Sequence, residues 1–216
     1  MICNETLEAI KRYKLITIVR GIDGKDVLPL AEALYEGGVR LIEVTFNQSK
    51  GAAGIEETAA AIRAVAESGK EGLLAGAGTV LSEEQVRGAA EAGARYIISP
   101  NTNPEIIRLT KQLGLVSIPG ALTPSEVVVA YEAGADFVKL FPADNLGLGY
   151  AKAVMAPLNH IPMLAVGGVN EHNITDFLKA GFCGVGVGGN IVKTALVREG
   201  RFDEITSLAK AYTCQL

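Results

Sequence analysis

A chain of 216 residues with 49% hydrophobic side chains is long enough to bury a sizeable core and short enough that one domain, residues 1–216, is the expectation. Its formal charge of −4, with 20 basic side chains spread along the chain, offers no positive stripe for a polyanion, so no nucleic-acid partner is expected. No stretch approaches the roughly 20 apolar residues that cross a bilayer, and the start Met1-Ile2-Cys3-Asn4-Glu5 has no basic region followed by an apolar run, so no membrane partner is expected either. Cys3, Cys183 and Cys214 are odd in number and lack paired spacing, which fits a reducing compartment and a cytoplasmic location.

In chain order, short Val/Ile-rich runs alternate with helix-length Ala/Glu/Leu segments. The runs are Ile16–Val19, Leu41–Val44, Leu73–Ala75, Tyr96–Ile98, Val116–Ile118, Phe137–Leu140, Met163–Val166 and Val185–Val187. Eight continuous apolar strands separated by helices predict an all-parallel sheet buried on both faces. A glycine recurs at each expected helix exit, at Gly38, Gly69, Gly93, Gly114, Gly134 and Gly181, with one member missing near Asn159-His160. Helix starts agree: Thr123-Pro124-Ser125-Glu126 reads as a capping box with a first-turn proline, and Ser82-Glu83-Glu84-Gln85 as a second cap. The segment Gln48 to Gly54, rich in Gly, Ala and Lys, reads as a loop, with Lys50 either solvated or in contact with an anionic substrate.

Eight such units in 216 residues predict a compact (β/α)8 TIM barrel, a fold that more typically occupies about 250 residues. A doubly wound open sheet is the competing architecture. The first strand is not followed by a Gly-x-Gly-x-x-Gly turn, since Gly21 and Gly24 stand too sparsely for one, and the barrel is therefore preferred.

Two charges stand where strands should be dry. Lys139 lies inside Phe137-Val138-Lys139-Leu140-Phe141 near the end of the sixth predicted strand, and Glu43 lies inside Leu41-Ile42-Glu43-Val44-Thr45 on the second. An isolated buried ammonium is too costly to persist, so Lys139 is either paired or neutral. Barrel active sites gather at the C-terminal ends of strands, where these two groups can meet. A structural ion pair and a catalytic pair both remain open at this level. In the catalytic reading a neutral lysine attacks a ketone to form a Schiff base, the electron sink for carbon–carbon cleavage, and the carboxylate moves protons. Glu43 favours the charged lysine while burial opposes it.

After the seventh strand come Gly167-Gly168-Val169-Asn170, and after the eighth Gly186-Val187-Gly188-Gly189-Asn190. Glycine lets backbone N–H groups approach an anion, and barrels frequently hold a phosphate at this place, so Gly167, Gly168, Gly188, Gly189 and Asn190 form a candidate phosphate site. Asn190 is an amide donor there or a helix cap. The two histidines, His160 and His172, lie outside the strand ends and form no ligand-spaced cluster, so no metal is expected.

These residues resemble the 2-keto-3-deoxy-6-phosphogluconate / 4-hydroxy-2-oxoglutarate aldolases and the related 2-keto-3-deoxy-6-phosphogalactonate aldolases over nearly the whole chain. The resemblance rests on Val19-Arg20-Gly21, Glu43-Val44-Thr45, Gly76-Ala77-Gly78-Thr79-Val80, Ser99-Pro100, Ile118-Pro119-Gly120, Lys139-Leu140-Phe141-Pro142, Gly167-Gly168-Val169 and the Gly188-Gly189 turn. It implies that Lys139 is the Schiff-base lysine and Glu43 the general acid/base. It further implies that Arg20, Thr79, Pro100 and Phe141 surround the pyruvate moiety and that the last two Gly-rich turns hold the phosphate. The implied reaction splits a phosphorylated keto-deoxy sugar acid into pyruvate and glyceraldehyde 3-phosphate, without metal or other cofactor, in a homotrimer. Arg20 also suits a substrate carboxylate through its bidentate fork.

Three positions depart from the gluconate pattern: Asn47 stands for an arginine, Val166 for a threonine before Gly-Gly, and Asn190 for a serine after the last Gly-Gly. Asn47 and Val166, with Val19-Arg20-Gly21-Ile22, look more like the galactonate branch. Losing the threonine hydroxyl removes a donor that can tell epimers apart. Two other classes share part of this pattern: a non-catalytic barrel that binds a phosphorylated metabolite, which has no use for a lysine inside a strand, and a sugar-phosphate isomerase.

Overall fold

The computed structural model describes residues 2–216. Its nine strands, all parallel, form one sheet in the order β5-β4-β3-β2-β1-β9-β8-β7-β6. They are β1 (Leu15–Val19), β2 (Leu41–Thr45), β3 (Leu74–Gly78), β4 (Tyr96–Ile98), β5 (Val116–Ile118), β6 (Gly120–Ala121), β7 (Val138–Leu140), β8 (Met163–Val166) and β9 (Gly184–Val187). The ends of that order are one stave. β5 and β6 are separated only by Pro119, which has no N–H to give to a ladder. Its carbonyl still accepts from the Lys139 N–H at 2.8 Å, and the Ser117 carbonyl accepts from Phe137 at 3.3 Å, so the ring closes between β5/β6 and β7. The eight predicted strands are thus the eight staves, the predicted sixth, seventh and eighth being β7, β8 and β9.

Between them run α2 (Gly24–Glu36), α3 (Gly51–Ala66), α4 (Glu83–Glu91), α5 (Pro104–Gln112), α6 (Pro124–Glu132), α7 (Gly147–Met155) and α8 (Ile174–Lys179), with α9 (Thr194–Arg198) and α10 (Phe202–Thr213) after β9. The expected exit glycines Gly38, Gly69, Gly93, Gly114, Gly134 and Gly181 all have positive φ. Thr123 and Glu126 form the predicted capping box on α6. On α4 the box is offset by one residue: Ser82 accepts from the Gln85 N–H, but the Gln85 side chain accepts from Leu81 instead of from Ser82.

Side chains alternate between a barrel interior and an outer layer against the helices. Ile16, Leu41, Tyr96, Ile98, Val116, Ile118, Phe137 and Leu164 fill the interior as one buried cluster. Helix α1 (Ile2–Tyr13), which precedes the first strand, packs Leu7, Ala9, Ile10 and Tyr13 against that cluster and covers its end. The outer strand faces, such as Val19, Ile42, Val44, Val138, Ala165 and Val185, join the helix residues in a second, larger cluster.

Two boundaries differ from expectation by more than one residue. β3 runs on to Gly78, past the predicted end at Ala75, because two of its residues are glycines that carry no strand pattern but pair in full register with β2. Gln48–Gly54 is not a loop: Gln48–Lys50 is a 3-10 turn capped by Asn47, and α3 begins at Gly51. Lys50 there pairs with Glu57 at the surface.

Candidate active site

The inward positions near the C-terminal ends of the strands carry the polar groups. Lys139 on β7 and Glu43 on β2 are 6% and 2% exposed, which places both charges inside the barrel mouth. Room for Glu43 comes from Gly78: a Cβ built there lies only 1.8 Å from Glu43 Oε1. The Lys139 Nζ stands 4.5 Å from the centroid of the Phe141 ring. Among the described residues no ion pair within 4.0 Å joins Lys139 to Glu43, so the two act on each other at longer range.

The competition left open by the sequence is decided by burial. Desolvation pushes the Lys139 pKa below its ordinary value, more than the Glu43 charge pulls it up, and the Arg20 guanidinium pushes it further down. The same burial raises the Glu43 pKa against the opposing pull of Lys139 and Arg20. Both groups therefore move toward their neutral forms. A buried lysine whose free amine is favoured by desolvation and a buried carboxyl group that acts on it make a pair suited to iminium chemistry.

Arg20, just beyond β1, donates from a terminal guanidinium nitrogen to Thr79 Oγ1 at 3.3 Å. Thr79 follows β3 with φ of 57°, a left-handed backbone that a β-branched residue rarely adopts. Its carbonyl accepts from Gln48 Nε2 at 2.6 Å, and Gln48 Oε1 in turn accepts from Gln85 Nε2 at 2.9 Å. Two amide side chains from α4 and the 3-10 turn thus hold a strained residue against Arg20, and strain of this kind is usually retained for function. Nothing in the spacing of Gln48 and Gln85 signalled this role.

Pro100 follows β4, and its carbonyl lies 2.4 Å from where a Cβ of Gly120 would stand, so Gly120 lets the chains close tightly on that side. Val166 ends β8 at 6% exposure, against Gly186, with an apolar surface and no donor. Asn47 follows β2 by two residues. Its Oδ1 accepts from the Ser49 N–H and hydroxyl, and it lines a crevice of about 720 Å³ between the β1 and β2 ends and helices α2 and α3, a crevice that neither Lys139 nor Glu43 lines.

The two Gly-rich turns are tied together, since Asn190 Nδ2 donates to the Val169 carbonyl at 3.2 Å. Asn190 is therefore a cross-link between turns and not the cap of α9, which begins at Thr194. Gly167 and Gly168 have φ of 92° and 80°, and among the described residues the N–H groups of Gly168, Val169, Gly189 and Asn190 have no protein acceptor. Adjacent free N–H groups make an anion nest. Asn170 contributes none, because its N–H is bound by Asn173 Oδ1 at 2.8 Å. His160 meets Tyr131 edge to face and His172 is exposed, and among the described residues no three His, Cys, Asp or Glu side chains stand together as a metal cluster.

The family model for KDPG and KHG aldolases matches residues 7–208. The chain belongs to that family. It is an aldolase, a lyase that acts on carbon–carbon bonds. It is 32% identical over 208 residues to the 2-dehydro-3-deoxy-phosphogluconate aldolase of Haemophilus influenzae, covering 95% of this chain and 94% of that one. It is 33% identical over 202 residues to the 2-dehydro-3-deoxy-6-phosphogalactonate aldolase of Escherichia coli, covering 93% and 95%. Among solved structures, the KDPG aldolase of Legionella pneumophila, with pyruvate captured as a covalent carbinolamine, superposes with a TM-score of 0.84 at 28% identity, over 95% of this chain and 96% of that one. In this aldolase the strands, helices and mouth follow the predicted barrel.

Proposed function

We propose that this aldolase cleaves 2-keto-3-deoxy-6-phosphogluconate to pyruvate and glyceraldehyde 3-phosphate through a Schiff base on Lys139. The observation that carries the reading is a buried lysine on β7 and a buried carboxyl group on β2, each moved by burial toward its neutral form. The neutral Nζ adds to the C2 ketone, and the carbinolamine loses its hydroxyl as water with a proton from Glu43. The iminium then accepts the electron pair of the C3–C4 bond as the C4 hydroxyl loses its proton. Glyceraldehyde 3-phosphate leaves, the enamine is protonated at C3, and water releases pyruvate from Lys139.

Arg20 holds the substrate carboxylate, with Thr79 orienting it, while Pro100 and Phe141 wall the pyruvate end. The nest at Gly167-Gly168 and Gly188-Gly189, braced by Asn190, receives the phosphate. The same chemistry extends to 4-hydroxy-2-oxoglutarate, giving pyruvate and glyoxylate. A second reading, 2-keto-3-deoxy-6-phosphogalactonate as the preferred substrate, is favoured by one observation: Val166 presents no donor with which to select the gluconate hydroxyl. We further propose that residues 1–216 act as one catalytic domain, in a homotrimer as the resemblance implies, and in the cytoplasm, in keeping with three free cysteines.

The test is kcat/KM for both phosphorylated epimers and for 4-hydroxy-2-oxoglutarate, read as pyruvate release. Cleavage of the phosphorylated substrates is expected, with an epimer ratio within about 12-fold, the reach of one neutral hydrogen bond. Gluconate preference above about 100-fold contradicts the reading of Val166. Equal use of the unphosphorylated substrate contradicts the phosphate nest.

A further inference from the structure

Tyr96, on β4, is wholly buried in the barrel interior, and its hydroxyl has no hydrogen-bond partner. A buried hydroxyl without a partner is unfavourable, and phenylalanine fills the same volume without it. The neighbouring strand is shaped to admit this ring. A Cβ at Gly76 stands 2.0 Å from Tyr96 Cε2 and 2.4 Å from its Cζ, so no other residue fits there. Gly76 is the register partner of Glu43 on one side and of Tyr96 on the other. The three inward positions form one row across β2, β3 and β4 with no side chain in the middle, the Tyr96 ring lying over Gly76 and the Glu43 carboxyl over Gly78, two residues further along the same strand. Burial first, and then the Glu43 charge, raise the phenol's pKa and keep the proton on the oxygen, leaving the hydroxyl a donor.

We propose that Tyr96 is a positioning residue for Glu43, its hydroxyl being the donor that receives the Glu43 carboxylate each time the carboxyl gives up its proton. The proposal rests on the role given to Glu43 above. Lys139 from β7 and Arg20 after β1 are the other groups that act on Glu43, and both belong to the mouth where substrate binds. Tyr96 instead belongs to the apolar cluster of the barrel interior. The carboxyl turns toward the mouth to exchange a proton and back toward Tyr96 as the anion, and the phenolic proton stays on Tyr96 throughout.

The experiment is the kcat–pH profile of the Tyr96→Phe enzyme beside wild type and Glu43→Gln, with Tm recorded for each. The limb that Glu43→Gln abolishes belongs to Glu43. Removing a donor to the carboxylate disfavours the anion, so in Tyr96→Phe that limb moves to higher pH by about one unit, a tenfold change in rate at fixed pH on the limb, with Tm equal to or above wild type. In a Glu43→Gln background, adding Tyr96→Phe changes nothing further. An unmoved limb overturns the proposal, whatever the Tm, and so does an equal loss of rate in the Glu43→Gln background. Failure of wild type to cleave the keto-deoxy acids at all contradicts the function and not this geometry.

Discussion

Gly78→Ala tests the placement of Glu43 with the smallest possible change. Gly78 lies in a strand and is not among the glycines with positive φ, so alanine imposes no backbone strain. Its methyl carbon, however, falls 1.8 Å from Glu43 Oε1, 2.4 Å from Cδ and 2.6 Å from Cγ. To reach ordinary van der Waals contact the carboxyl must retreat by about 1.5 Å, more than the roughly 1 Å misplacement that costs a reaction 100-fold. The expected kcat is therefore about 100-fold below wild type. Overpacking destabilises the fold by about 1–3 kcal/mol. Lys139 is untouched, so pyruvate and borohydride still label it. The assay couples pyruvate release to NADH oxidation, with Tm and labelling measured on the same preparation. A kcat within threefold of wild type refutes the claim that the Glu43 position governs turnover.

Glu43→Gln removes a charge that holds the Lys139 pKa up, so the pH midpoint of pyruvate labelling moves down while turnover falls about 100-fold or more; an upward or unmoved midpoint contradicts this coupling. In wild type the same reasoning puts the labelling midpoint below the ordinary lysine value of 10.5, and a midpoint at or above it contradicts desolvation as the dominant cause. Thr79→Gly relieves a left-handed threonine but removes the Oγ1 that accepts from Arg20, so Tm holds or rises while KM for the keto acid increases about 3-fold to 10-fold; a lower Tm with unchanged KM contradicts both roles.

The barrel was legible in the sequence because its strands are buried on both faces and its helix exits need glycine, two patterns that survive in one dimension. Lys139 and Glu43 were legible for the converse reason, since charges inside apolar strands demand an explanation. Less was readable where the physical cause lies across strands. Gly76 and Gly78 looked like the end of a strand, yet they are the spaces into which Tyr96 and Glu43 fit. Asn190 suggested a helix cap or a ligand donor, and only the fold brings the Val169 carbonyl to it. Asn47, which the resemblance sets where the gluconate enzymes carry an arginine, caps the 3-10 turn through its Oδ1, a contact that depends on the fold of Gln48–Lys50. Helix α1 has a helical apolar pattern in its own sequence, but the barrel end that it covers exists only in the fold.

The central claim is that Lys139 is the nucleophile, and the direct measurement is mass analysis of the protein after pyruvate and borohydride, followed by peptide mapping. The account predicts one reduced three-carbon adduct per chain, on Lys139, absent from Lys139→Ala together with the aldolase activity. An adduct on another lysine, or full activity in Lys139→Ala, contradicts it.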